Sequence, residues 1–393
     1  MIYLDNAATT AIRPEVLEAM MPFLSESYAN PSSIYRGAGH AKMAIGAARE
    51  QVATAISAKP SEIFFTGSGS EAINWACKGI MFLNTSKKHI ITTSVEHHAS
   101  LYTIQSFEKF GETFEVTYLP VDEDGLVTAQ QVQEALRPNT ALVSIMTANN
   151  EVGTIMPIAE IGAVIKQANA ARDKKDRIYF FTDAIQAVGH IPVNVDEMGV
   201  DLLAISAHKF YGPKGVGALY VRQGVKIAPL VHGGGQERGR RGGTENVPGI
   251  VGMGQAIELA VAEMAHMAEK HTKLRDYLIA QIGEKISHIK INGHKNKRLP
   301  NNVNVAFKGI EGEGILLLLD SKGFWASSGS ACTSGSLEPS HVLLAMGLDH
   351  GLAHGSLRLS LGRDTTKEEL DKLMEYLPAV INRLREMSPL WKA

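Results

Sequence analysis

The sequence predicts an α/β protein built on a large, mostly parallel, seven-stranded sheet, with a smaller α+β unit following it. Three observations carry that prediction. Short apolar runs recur at Ile63–Thr66, His89–Thr93, Phe114–Leu119, Ala141–Thr147, Ile178–Thr182, Leu202–Ser206 and Gly217–Val221, which makes seven candidate strands. Helical periodicity separates most of them, notably at Glu71–Phe82, Leu101–Phe110, Ala129–Leu136 and Ile158–Ala171. That alternation implies parallel strands with helices on both faces, and ligands in such sheets collect at the carboxyl ends of the strands. Finally, 393 residues with 45% hydrophobic and 20% charged content leave room for a second unit with its own core.

Taken in order, Asn30–Ser33 and Gly37–Gly39 read as a loop cluster before a helix over Ala41–Ile56. Ala171–Arg177 (ARDKKDR) is the most hydrophilic interruption and reads as a solvated loop. From Val247 to about Ile286 one long helical pattern bridges into the smaller unit. That unit has strands near His288–Ile291, Val303–Phe307 and Leu357–Leu359 and a closing helix over Lys367–Arg385. Thr366 and Glu369 form a capping box at its start; Leu370, Leu373, Met374, Leu377, Ile381 and Leu384 give it an apolar face. Pro378 is expected to kink it.

Composition excludes several classes. Lys+Arg number 39 against 41 Asp+Glu, a net charge of −2, so no basic excess points to nucleic acid. MIYLDNAATT lacks the basic and apolar regions of a signal peptide, and the longest aliphatic run, Ile315–Leu319, is too short for a membrane span. A cytoplasmic protein is expected. Two cysteines allow neither a disulfide framework nor a cysteine-based zinc cage, and no metal is expected. Cys77, in the apolar-periodic EAINWACKGIMF, reads as a buried helix residue; Cys332, in the polar SSGSACTSGSLEPSH, reads as a reactive thiol.

The richest chemistry lies in ISAHKFYGPKGVG (205–217), where Lys209 sits between two apolar strands on a Gly- and Pro-rich turn, beside Ser206 and His208. A partly desolvated lysine there suits a Schiff base, although most lysines of the chain are simply solvated. Asp183 closes the strand of RIYFFTDAIQAVGH, with Gln186 three residues on. A carboxylate there can keep a pyridine nitrogen protonated, or it can cap a turn. Gly69 and Ser70 open a helix after a strand, a place that can cradle a phosphate. His97 follows another strand end and could stack on a flat ring and shuttle protons, with His98 beside it as an alternative. Asn150, in TANNEVG, could bond a ring hydroxyl or a substrate carboxylate, and Arg358 could fork onto a carboxylate. HGGGQERGRRGGT (232–244) places six glycines and Arg238, Arg240 and Arg241 before Thr244, as either a solvated loop or an anion-binding one.

Together YLDNAATT (3–10), ANPSS (29–33), ANNEVG (148–153), TDAIQAVG (182–189), SAHKFYGPKGVGALY (206–220), HGGGQERGRRGGTEN (232–246) and SSGSACTSGSLEPSH (327–341) resemble the cysteine desulfurases of the NifS/IscS type. These are class V members of the fold-type I pyridoxal-phosphate enzymes. The resemblance implies a large cofactor-binding domain over 15–255. It also implies a small domain from 1–14 plus 256–393, carrying the reactive-cysteine loop at about 325–340. It implies that Lys209 holds pyridoxal 5'-phosphate as a Schiff base, that Asp183 pairs the pyridine nitrogen, Gln186 the ring hydroxyl, and that His97 stacks on the ring. Gly69, Ser70, Ser206 and His208 would hold the phosphate, joined by Thr244 of the second subunit in a homodimer. Asn150 and Arg358 would take the carboxylate of L-cysteine, and Cys332 would receive its sulfur and pass it to an acceptor such as an iron–sulfur scaffold protein. A local base must help ionise that thiol, and His97 is the nearest candidate by role. Phe181 stands where a histidine often precedes the cofactor aspartate. The ending SPLWKA lacks the longer tail of IscS-type members, which favours a NifS-like chain. The alternatives are a selenocysteine lyase, a class V aminotransferase needing no thiol, and a catalytically dead relative acting as a binding partner.

Overall fold

A computed structural model describes residues 1–84, 87–109, 114–328, 338–389 and 391. Strands β2 (Ile63–Thr66), β3 (His89–Thr93), β4 (Glu115–Leu119), β5 (Thr140–Ser144), β6 (Tyr179–Asp183), β7 (Leu202–Ser206) and β8 (Gly217–Val221) follow β1 (Ile2–Tyr3). These seven form one sheet in the order β2-β8-β7-β6-β5-β3-β4. Its pairs are parallel from β7 to β4, and β8 runs antiparallel to both its neighbours. Alternating residues supply two cores. Ile91, Val143, Phe180 and Leu203 face one side, whereas Ile90, Leu142, Phe181 and Leu202 face the other. Both faces are buried, so the strands read as continuous apolar runs.

The helices bearing on the site are α1 (Pro14–Met20), α2 (Arg36–Ala55), α3 (Gly69–Met81), α4 (His98–Lys109), α5 (Ala129–Ala135) and α6 (Ile158–Ala170). They are followed by α7 (Val247–Lys285), α8 (Gly312–Asp320), α9 (His341–Ala345) and α10 (Lys367–Met387). Trp75, Cys77 and Ile80 of α3 fill one core with Ile104 and Phe107 of α4. Helices α2 and α6 fill the other with the first turns of α7. A third core lies between β10 (Asn302–Phe307), β12 (Ser356–Ser360), α8 and α10, and takes Leu278 and Ile282 from the far end of α7. There β9 (Ile289–Asn292), β10 and β12 form an antiparallel sheet, and β1 pairs with β11 (Phe324–Trp325).

Several expected boundaries move. Gly37 and Gly39 lie inside α2, where burial of Ala38, Ala41 and Ile45 outweighs the glycine penalty. The strand expected to reach Thr147 ends at Ser144, and α4 starts at His98 rather than Leu101. The expected end of that helix, Phe110, lies outside the described residues. Pro378 sits within a helix that continues to Met387, and the capping box forms, with Glu369 N–H on Thr366 Oγ1 at 3.3 Å and Thr366 N–H on Glu369 Oε2 at 3.1 Å. ARDKKDR is more than a solvated loop. Arg172 Nη2 donates to Arg137 O at 2.7 Å, Arg177 pairs with Asp201 at 2.5 Å, and the Lys87 amine donates to Asp176 O. Among the described residues, no helix is long and apolar enough to cross a membrane.

Candidate active site

A cavity of 520 Å³ opens at the carboxyl ends of the parallel strands. It is lined by Gly69, Ser70, His97, Asn150, Asp183, Gln186, Ser206, His208, Lys209 and Arg358, ten residues picked from sequence. Ser206 ends β7, and the next three residues make a single 3-10 turn that delivers Lys209. Its Nζ donates to Ala7 O at 2.7 Å and Ala8 O at 2.8 Å. Asp183 ends β6, and its Oδ1 accepts the Ile185 N–H at 2.9 Å. Burial pushes its pKa up to about 6, against the pull of Lys209. Gln186 Nε2 donates to Ala7 O at 3.0 Å.

Gly69 opens α3, which Ser68 caps by accepting the Glu71 N–H at 3.1 Å. Gly69 and Ser70, in the first turn of that helix, line the cavity, and helix geometry leaves first-turn N–H groups without intrahelical partners. A Cβ on Gly69 would stand 2.4 Å from Ile185 Cδ1 and 3.1 Å from Ser206 Cβ, so only glycine leaves the wall open. Opposite it, Arg358 of β12 comes from the smaller unit. Its Nη1 donates to Asn150 O at 3.0 Å and Nη2 to Asp5 Oδ1 at 2.8 Å. Its Nε is buried with no hydrogen-bond partner among the described residues.

His97 precedes α4, and Nδ1 accepts the Ala99 N–H at 3.1 Å. Burial first, and then Lys209, holds its pKa down at about 4. His208 shares a hydrogen bond with Thr9 Oγ1 at 3.1 Å and is likewise held at about 4, chiefly by burial. Two buried acids complete the surroundings. Glu96 is pushed up to about 8 by burial, and Glu151 is raised by burial while it accepts Ser340 Oγ–H at 2.5 Å.

Thr244 is not in this cavity; it is exposed, in a separate pocket of 140 Å³ with Gly67 and Glu245. Cys332 lies outside the described residues. Cys77 is fully buried, and desolvation pushes its thiol up to about 12, so it is unreactive at neutral pH.

Two features escaped the sequence reading. The N-terminal segment enters the site through the Ala7 and Ala8 carbonyls and Asp5, and only the crowding of small and polar residues in LDNAATT hinted at it. The 232–244 loop is neither solvated throughout nor a simple anion loop. Glu237, 6% exposed, turns inward to take Arg49 at 2.7 Å and the Phe65 N–H at 3.0 Å. Arg238 stacks 4.1 Å from the Phe64 ring centroid, and Arg241 pairs with Glu71 at 2.8 Å.

The Aminotransferase class-V family matches residues 2–373. A cysteine desulfurase named IscS from Clostridium botulinum (strain Hall) is 56% identical over 394 residues, covering 100% of this chain and 97% of its own. Among solved structures, a NifS-like protein superposes with a TM-score of 0.90 at 40% identity, covering 98% of this chain and 100% of its own. Another, SspA in complex with cysteine, gives a TM-score of 0.79 at 40% identity over 92% of this chain and 99% of its own. Full-length similarity on this fold leaves one assignment: the chain belongs to the class V aminotransferase family and, within it, to the cysteine desulfurases of the NifS/IscS type.

Proposed function

We propose that the protein removes sulfur from L-cysteine with pyridoxal 5'-phosphate in the 520 Å³ cavity, giving L-alanine and a persulfide on Cys332. The observation that carries this is Lys209 and the buried Asp183 on the wall of one cavity at adjacent strand ends. The residues fit the cofactor. Gly69 leaves room where a Cβ would fill the wall, the α3 N-terminus suits a phosphate, and Asp183 is a buried carboxylate suited to a pyridinium. Gly69, Ser70, Ser206 and His208 would hold the phosphate, Gln186 the ring hydroxyl, and His97 the ring face. When bound, the cofactor supplies a sink for the electron pair left on the substrate's α-carbon.

The chain's own residues do the rest. Arg358 and Asn150 orient the substrate carboxylate, with Arg358 Nε, which has no partner among the described residues, as a donor. Lys209 anchors the cofactor and moves the α-proton through Nζ. Cys332, as a thiolate, attacks the substrate sulfur. An S–S bond forms as the C–S bond breaks, and carbon keeps the pair and takes a proton. The test is to supply L-cysteine with a thiol reductant, which releases the persulfide sulfur as sulfide, and without a keto acid, and to measure alanine and sulfide in equal amounts. Selenocysteine assayed alongside separates a lyase of that substrate. Borohydride reduction and peptide mapping should then find the cofactor on Lys209, and label on another lysine would overturn the assignment.

The same reading makes the enzyme a homodimer. The support is that Thr244 lies outside its own cavity and that Leu17, Met21, Leu24, Tyr28, Ile34, Tyr35 and Met43 are exposed apolar residues near one another in sequence. It assigns 15–255 and 1–14 plus 256–393 as domains, supported by separate cores joined along α7. A free nucleophilic thiol persists in a reducing compartment, hence the cytoplasm, and the persulfide it forms needs an acceptor protein such as an iron–sulfur scaffold.

A further inference from the structure

His97 caps α4 with its own ring. Nδ1 accepts the Ala99 N–H at 3.1 Å, and the His97 carbonyl accepts the Ser100 and Leu101 N–H groups at 2.8 and 2.9 Å. A ring nitrogen that accepts an N–H carries no hydrogen, so in the neutral imidazole the hydrogen sits on Nε2. Turning the ring over would exchange that hydrogen bond for a C–H facing the Ala99 amide. The backbone of the turn is held as well. The Met146 N–H and Thr93 Oγ1–H both donate to Glu96 Oε1, at 3.0 and 2.9 Å. Asn149 Nδ2 donates to Val95 O at 3.0 Å, and His341 Nε2 bonds Glu96 O at 2.9 Å.

The described surroundings of the ring disfavour a second proton. The N-terminus of α4 carries partial positive charge. Burial is the largest cause, and among the described residues Lys209, His98, His341 and Arg358 each oppose a further cation on the ring. Glu96, the neighbouring acid, spends its bound oxygen on Thr93 and Met146. A histidine held neutral by a helix N-terminus works as a donor in other enzymes too.

We propose that His97 serves the cavity as a neutral hydrogen-bond donor through Nε2–H and is not the base that takes the proton of the Cys332 thiol. This rests on the desulfurase reading, which requires that thiol to ionise. A base at His97 would have to accept its proton at Nδ1, the nitrogen already occupied by Ala99.

The test compares His97→Gln, His97→Phe and His97→Ala as holoenzymes, reading the rate of single-turnover sulfur transfer to Cys332 by mass spectrometry. Glutamine offers an N–H in place of Nε2–H but takes up no proton near neutrality, whereas phenylalanine keeps a ring face without a donor. Gln should stay within about tenfold of wild type, and Phe and Ala should fall about 10²- to 10³-fold. A Gln variant as slow as Phe, or a Phe variant as fast as wild type, overturns the proposal. Independently of turnover, NMR of ¹⁵N-histidine-labelled wild type, assigned against His97→Gln with and without cofactor, reads the tautomer. Nε2 should be protonated and Nδ1 bare between about pH 6 and 9. A hydrogen on Nδ1 refutes the role. Should wild type form no persulfide, the desulfurase reading fails while the NMR still decides the state of His97.

Discussion

Gly69→Ala adds one methyl group at the place where α3 meets the cavity. Its Cβ would stand 2.4 Å from Ile185 Cδ1, 3.3 Å from Ile185 Cγ1 and 3.1 Å from Ser206 Cβ. Carbon atoms settle at roughly 3.5–4.0 Å, so the first contact must open by more than about 1 Å. Ile185 is the flexible member, and it lines the cavity; swinging it away from the new methyl spends cavity volume, and shifting the first turn of α3 moves the N–H groups proposed to hold the phosphate. Overpacking of this kind costs about 1–3 kcal/mol, or about 5- to 150-fold in affinity when it falls on a bound ligand. The assay is titration of the cofactor-free variant with pyridoxal phosphate, followed by its visible absorbance. Gly46→Ala is the matched control. It lies within α2, where a Cβ meets nothing within 4 Å, and should stabilise the fold by about 0.5–1 kcal/mol without touching cofactor affinity. Cofactor affinity within twofold of wild type in a folded Gly69→Ala protein would refute the cradle.

Other outcomes follow from the same site. Lys209→Ala should still fold but lose the covalently held yellow cofactor, read by absorbance after gel filtration. Cys332→Ala should abolish sulfide and alanine formation while keeping the cofactor; turnover at the wild-type rate would sink the mechanism. Cys77 should resist alkylation at pH 8 until the protein is denatured, since it is fully buried and its thiol is held near 12. Asp183 ionises near 3.8 unfolded and near 6 in the fold, so the unfolded chain holds fewer protons between those values and stability falls as pH rises through that window. Cofactor-free Asp183→Asn should therefore be more stable than wild type at pH 8 by about 2–3 kcal/mol, a gain that vanishes below about pH 4 in denaturant titrations.

The seven strands were legible because each is buried on both faces, which writes an apolar run whatever the partners. Ten picked residues could be expected to share one cavity because loops at the carboxyl ends of parallel strands converge there. What stayed hidden depends on contacts made far along the chain. The inward turn of Glu237 is explained by Arg49 and by the Phe65 amide, neither of which is near it in sequence. The early start of α4 follows from a histidine ring acting as the cap, a role usually filled by Ser, Thr, Asp or Asn. The Ala7 and Ala8 carbonyls that hold Lys209 belong to alanines, whose side chains say nothing of what their backbone accepts. Arg358 could be picked as a carboxylate reader, but its tether to Asp5 joins positions more than 350 residues apart.

Helix α7 runs for 39 residues, about 58 Å, with its first turns in one core and its last in another. It acts mechanically as a strut. A chain cut at its midpoint would leave each piece with an apolar stub torn from the layer it completes, so neither piece should persist alone. Limited proteolysis should accordingly trim the surface without releasing a stable carboxyl-terminal fragment, despite the separate sheets. Any relative movement between Arg358 and Lys209 must then come from bending of this strut or from the connections on either side of the cavity, because a free hinge at the join is ruled out by continuous helix.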